Sequence, residues 1–201
     1  RRKKGERFWW YVCCGPKAPF CTLFIDHPAI EMRTWLWQTW QRKISGILIW
    51  ETTYWTSDAA FPGSLQNPYE DPMAYVAGVA KPAEKRSYWG NGDGRFVYPP
   101  EAAAAGSKTP VPDGPVSCIR WEMLRDGIED LDYLNILDRA IRENRLAVDE
   151  KVLAEAKSLL TVPPEITKSM QEFATGPEPI LERREAVAKM IEQLVPPRKR
   201  N

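Results

Sequence analysis

The run Gly46-Ile47-Leu48-Ile49-Trp50, followed by Glu51-Thr52-Thr53-Tyr54-Trp55, constrains the fold more than any other stretch of this chain. The apolar residues Ile47 to Trp50 behind a glycine predict a short buried strand. It ends in a carboxylate among three large rings. A charged carboxylate in such company is costly unless it is paired or at work. Apolar strands whose C-terminal ends carry polar and aromatic groups are how parallel α/β barrels build their sites. Ring faces match the C–H faces of a sugar, and a carboxylate accepts from its hydroxyls, so the ending points to a carbohydrate site.

The surrounding segments predict a parallel unit. Phe8 to Cys13 has the pattern of a strand buried on both faces, stopped at Gly15-Pro16. Before it, the charged run Arg1 to Arg7 with Gly5 looks like a helix end and its cap, an opening that predicts further chain before Arg1. Asp26-His27-Pro28 resembles a helix start, with Asp26 as N-cap and the proline in the first turn. The helix is expected from about Ala29 to Lys43, with Ile30, Arg33, Trp37 and Trp40 at helical spacing facing a sheet. Strand, helix and strand in this order make a right-handed parallel unit.

Thr52 to Gly94 reads as one long loop rich in Pro, Gly, Asn and rings, which at that length implies function. Arg95 to Tyr98 is a third expected strand, stopped by Pro99-Pro100, and Glu101 to Asp113 a surface loop. Ser117 opens an expected amphipathic helix with Ile119, Met123, Leu124, Ile128, Leu131, Leu134 and Leu137 inside. From Leu146 onward two or more charged helices follow, broken at Pro163-Pro164 and Gly176-Pro177. The expected division is therefore 1–145 for the strand-and-helix unit and 146–201 for a charged helical tail.

Charge excludes some partners. The 28 Lys and Arg residues nearly balance 27 Asp and Glu, so no global basic field favours nucleic acid or a membrane surface. The basic tips Arg1-Arg2-Lys3-Lys4 and Arg198-Lys199-Arg200 are short enough to be solvated ends. No apolar run approaches the ~20 residues needed to span a bilayer. Cys13, Cys14, Cys21 and Cys118 match neither a zinc spacing nor a disulfide framework, and on a strand Cys13 and Cys14 would point to opposite faces. Buried thiols, no metal and no cofactor are expected.

Several motifs stand in a characteristic order: Trp10-Tyr11-Val12-Cys13, Asp26-His27-Pro28-Ala29 with Arg33, and Gly46 to Trp50 ending in Tyr54-Trp55. Gly90-Asn91-Gly92-Asp93-Gly94 with Tyr98-Pro99 follows, then Ile119-Arg120-Trp121-Glu122 with Arg125 to Asp130. Together, over roughly residues 5 to 140, they resemble the C-terminal part of the glycoside hydrolase family 123-like catalytic domain, once catalogued as a domain of unknown function. The resemblance implies an α/β fold, the C-terminal portion of a (β/α)8 TIM-type barrel followed by a helical tail. It also implies hydrolysis of a terminal β-linked N-acetylhexosamine, as in exo-β-N-acetylgalactosaminidases, by substrate assistance. In that mechanism the sugar's acetamido oxygen attacks the anomeric carbon, an Asp stabilises the acetamido group, and a neighbouring Glu is general acid and then base.

The family's Asp-Glu-Pro has no counterpart here; the single Asp-Glu, Asp149-Glu150, lies in the tail, and Glu70-Asp71-Pro72 reverses the order. No residue of this chain is therefore assigned as catalytic. The expected partners are an N-acetylhexosamine-containing glycan and the N-terminal part of the same barrel, and the isolated chain is expected to be inactive. Extracellular or periplasmic placement suits a glycan hydrolase.

The expected substrate-binding residues are Trp50, Glu51, Tyr54, Trp55, Asn91 and Asp93, each with a structural alternative. Trp50, Tyr54 and Trp55 form a sugar platform or an aromatic plug at the barrel mouth. Glu51 accepts from sugar hydroxyls or pairs with Arg33 or Arg95. Asn91 and Asp93 offer an amide and a carboxylate from a glycine loop, or simply bond their own turn. His27 reads as helix-start packing, and Arg120, Arg125, Asp126, Glu129 and Asp130 as a salt-bridged helix surface. For the function, a non-catalytic carbohydrate-binding module and a structural remnant without ligand stand beside the hydrolase reading.

Overall fold

The computed structural model describes residues 2–57, 61, 64–76, 85–144 and 148–195. The expected boundary at 145/146, Arg1 and the basic tip Arg198 to Arg200 lie outside the described residues. A 3₁₀ turn at Arg2–Lys4 ends at Gly5, whose φ of 81° is the left-handed cap expected of a glycine there.

Strand β1 (Trp9–Tyr11) pairs in parallel with β2 (Gly46–Leu48), with Trp10 opposite Ile47, and helix α1 (Ile30–Gln41) connects them. β1 is not buried on both faces: Trp9 is 66% and Tyr11 59% exposed, while Trp10 packs inward beside Trp35, with ring centroids 6.0 Å apart. β2 also stops earlier than Trp50. Gly46 is there because a Cβ would run into the Trp9 ring.

α1 is the central layer of the fold. From Ile30 to Thr39 every residue is buried, so its two faces meet different neighbours. Met32, Trp35 and Leu36 join Val12, Leu23 and Phe24 on the strand side. The stripe Ile30, Trp37 and Trp40 does not face the sheet as expected; it packs into the helical side. A helix buried all round has no polar face, so residue spacing cannot tell which side meets which layer. Nor is Asp26 its cap: Ala29 is the N-cap, and Asp26 accepts from the Asn91 amide at 3.0 Å. Glu31, in the first turn, accepts from the Thr22 N–H at 2.8 Å and meets His27 Nδ1 at 3.3 Å.

The expected loop from Thr52 to Gly94 contains an antiparallel pair, β3 (Met73–Tyr75) with β4 (Tyr88–Asn91). The third expected strand is shorter, β5 (Val97–Tyr98), and it pairs antiparallel with β6 (Val116–Ser117) rather than extending the parallel pair. A single turn, α2 (Glu101–Ala104), lies between them. The described sheets are thus three two-stranded pieces in a mixed α/β chain.

Helix α3 (Ile119–Asn144) begins after Ser117, which belongs to β6. Leu124, Leu134 and Leu137 are buried as expected, but Ile119 and Ile128 are exposed. α4 (Glu150–Leu159), capped by Asp149 through the Lys151 N–H at 2.8 Å, and α5 (Glu178–Leu194) are the last described helices. Their apolar faces share one cluster with α1 and α3. Two of the five residues expected as helix surface are instead interior. Asp130 is buried and accepts from Arg33 Nε and Nη2 at 2.7 and 2.9 Å and from the Trp37 indole at 2.9 Å. Arg120 is buried too and donates to the carbonyls of Leu23, Gly92 and Arg95. Burial of a paired charge leaves no trace in residue spacing, so helical periodicity alone places both on the surface. No described helix is long and apolar enough to cross a membrane.

Candidate functional site

The chain after β2 turns sharply, and Glu51 makes the turn. Its Oε1 accepts from the N–H groups of Thr52 and Thr53 at 2.9 and 3.1 Å and from the Thr53 hydroxyl at 3.2 Å. The bonds from Thr53 and Thr52 hold its carboxyl below the usual range. Neither Arg33 nor Arg95 is its partner: Arg33 binds Asp130 and Arg95 donates to Gln66 at 2.8 Å. Beyond the turn, Tyr54 N–H donates to the Gly94 carbonyl, and Phe96 and Val97 N–H donate to the Thr52 carbonyl. This short antiparallel contact sets the aromatic residues of 50–54 against the glycine loop 90–94.

The loop is built for close approach. Gly92 and Gly94 have φ of 78° and 73°. A Cβ on Gly94 would lie 3.0 Å from Tyr54 Cβ and 3.1 Å from the Trp50 ring, and one on Gly92 would meet Ile25 and Arg120. The Arg120 guanidinium fastens the loop from below through the Gly92 carbonyl at 2.9 Å.

Trp50, Tyr54 and Trp89 form a ring cluster, with centroids 5.3 Å apart for Trp50–Trp89, 5.6 Å for Trp50–Tyr54 and 5.7 Å for Tyr54–Trp89. The Trp50–Trp89 pair is edge-to-face. In front of the cluster lies a recess of about 200 Å³ lined by Tyr11, Cys13, Cys14, Trp50, Trp89 and Asp93. Asp93 is only 1% exposed and accepts from the Trp50 indole at 3.0 Å. Burial pushes its carboxyl above the usual range, against the pull of the Trp50 N–H, Arg120, the Gly94 backbone and Arg95. Behind Tyr54, the fully buried Arg95 guanidinium stacks over the ring at 5.0 Å.

Of the six expected contacts, the structure brings Trp50 and Asp93 to the recess, with Tyr54 supporting Trp50. Trp55 points elsewhere: its indole donates to the Val97 carbonyl at 2.7 Å, and it lines a second groove with Thr53, Pro100, Ser107 and Asp113. Asn91 is tied to Asp26, and its carbonyl accepts from the Ile25 N–H at 3.0 Å. Glu51 lies in its turn. Trp89, Tyr11, Cys13 and Cys14 are additions. Trp89 had one sequence signal, its position next to the Gly90 loop. Cys13 and Cys14 had none, because β1 ends at Tyr11 and strand alternation does not reach them.

A recess with ring walls and one buried carboxylate can hold a small ring carrying hydroxyls. It carries one carboxyl, whereas glycosidases of the two-carboxylate kind use a pair. Among the described residues no group of three or more His, Cys, Asp or Glu is placed to hold a metal ion.

The family described as glycoside hydrolase 123, catalytic domain, matches residues 1–137. In three dimensions the chain is similar to a family 123 glycoside hydrolase from Clostridium perfringens, studied for glycolipid glycan hydrolysis. The TM-score is 0.53 at 17% identity; the likeness covers 96% of this chain and 28% of that one, and it speaks for the fold alone. No curated protein matches the chain. With residues 1–137 matched, well over half of its length, the chain belongs to the glycoside hydrolase 123 catalytic-domain family.

Proposed function

We propose that this chain is the C-terminal portion of a (β/α)8 barrel that hydrolyses a terminal β-linked N-acetylhexosamine. The observation that carries the reading is the recess of Trp50, Trp89 and Asp93, backed by Tyr54, in a chain of this family. The parallel β1–α1–β2 unit supports the barrel, with the recess beyond the C-terminal end of β2, where such barrels hold their sites. The exposed Trp9 and Tyr11 of β1 would be covered by the rest of the barrel. The helices after residue 146 brace α1 and α3 from behind.

In this reading the sugar's apolar face lies against the Trp50–Trp89 wall, and buried Asp93 holds the Trp50 indole in place for it. The acetamido oxygen attacks the anomeric carbon as the glycosidic bond breaks, and the leaving oxygen takes a proton from a Glu. Water then opens the oxazolinium-like intermediate, returning the proton to that Glu. The Glu and the Asp that stabilises the acetamido group lie outside these 201 residues, which contain no Asp-Glu-Pro.

The test is a titration of the whole protein with N-acetylgalactosamine, followed by tryptophan fluorescence. Trp89→Ala should weaken binding roughly 3- to 10-fold, the worth of an aromatic contact. Trp55→Ala should leave it within about twofold, as for a residue outside the site. Wild-type affinity in Trp89→Ala would remove the recess from the sugar site. The whole protein should also cleave an aryl β-N-acetylgalactosaminide and the isolated chain should not. Binding without cleavage by the whole protein would instead favour the carbohydrate-binding module.

A further inference from the structure

We propose that Cys13 and Cys14 form a vicinal dithiol site that captures trivalent arsenicals as a bidentate ligand at the mouth of the aromatic recess. Their Sγ atoms are 3.7 Å apart, well beyond the ~2.05 Å of a disulfide, so both are free thiols. The chain leaves the strand at Tyr11 and folds back at once. Cys13 N–H donates to the Gly15 carbonyl at 3.2 Å, and Cys13 Sγ lies 3.7 Å from the same oxygen. That turn, unlike a strand, puts two neighbouring side chains on one side. Cys14 is exposed, and both cysteines line the recess opposite Trp50 and Trp89.

Thiols are soft ligands and select soft centres. Zinc wants four donors in a tetrahedron, and no third or fourth donor is placed here among the described residues. A centre satisfied by two sulfurs fits better. With an organic arsenoxide the As=O bond breaks and two As–S bonds form. Both thiol protons pass to the oxygen, which leaves as water, with no change in the oxidation state of arsenic or sulfur. Desolvation and the bond with Cys13 raise the Cys14 thiol above the ordinary range. Of the other cysteines, Cys21 is buried, with its thiol pushed far up by burial, and Cys118 lines a different groove.

The site stands independently of any sugar. Its test is to reduce the chain with a phosphine, add one equivalent of phenylarsine oxide and measure the intact mass. The expected result is one adduct per chain, equal to the reagent less one water, removed by 2,3-dimercaptopropanol and resistant to excess glutathione. Tryptophan emission should change on addition and recover on removal, because the adduct faces Trp50 and Trp89. Cys13→Ser and Cys14→Ser should each lose the resistance to glutathione, since two linked contacts exceed one by on the order of 10²–10⁴-fold. Cys21→Ser should keep it. No adduct in wild type, or an adduct equally resistant in both Cys13→Ser and Cys14→Ser, overturns the proposal. Circular dichroism checks that the serine variants are folded.

Discussion

At the scale of single residues, environment decided the role of each carboxylate. Glu51 and Asp93 both lie by the aromatic cluster, yet they are driven in opposite directions, one by backbone donors and the other by burial. The sign of each effect is testable. The folded carboxyl of Glu51 titrates below its unfolded value, so its stabilisation is present above pH 4.5 and lost as pH falls through the folded value. Glu51→Gln should therefore lower the urea midpoint at pH 7, and the gap from wild type should close as pH drops below 4.5. Asp93 contributes the other way, becoming a cost as pH rises above 3.8. The cluster of Trp50 with Tyr54 was legible from their spacing along the chain. Trp89 and the separation of Trp55 were not, because they depend on how 52–54 pairs with 94–97.

At the scale of elements, the contact of α1 with α3 shows why a glycine sits in mid-helix. Gly127 costs about 1 kcal/mol in helix propensity relative to alanine. A Cβ there would lie 2.9 Å from Leu36 Cγ and 3.2 Å from the Arg33 backbone, so the two helices can approach only where it is missing. Gly127→Ala should therefore destabilise the protein despite the propensity gain, by about 1–3 kcal/mol of overpacking, read as a lower urea midpoint. The existence of α1, α3, α4 and α5 was readable from apolar periodicity and proline breaks, though not their caps: Ala29, not Asp26, caps α1. The pairing of β5 with β6 was not, since two-residue strands carry no periodic signal.

At the scale of the whole molecule, one buried ion pair ties three helices together. Asp130 on α3 binds Arg33 on α1, and Arg184 on α5 approaches it at 3.4 Å. Arg120 does the equivalent for the site, joining α3 to the carbonyls of residues 23, 92 and 95. Removing Asp130 leaves the buried Arg33 charge with only the longer contact to Asp126, at 3.6 Å. Asp130→Ala should cost about 3–5 kcal/mol in urea unfolding, and adding Arg33→Met should recover much of that loss. A full loss in the double variant would mean that Asp130 acts through other contacts, such as the Trp37 indole at 2.9 Å.

The sequence by itself determined the α/β character, the parallel unit around α1, the charged helices of the tail and the family. Each of these rests on local pattern: apolar runs, breaks and ordered motifs. Only the tertiary structure decided that Trp50, two residues beyond β2, shares its recess with Trp89, Cys13 and Cys14 rather than with Trp55 and Glu51. Those groups are far apart in the chain or lie in irregular turns. Their meeting depends on Gly92, Gly94 and Arg120 holding one loop against another, a constraint no residue spacing records.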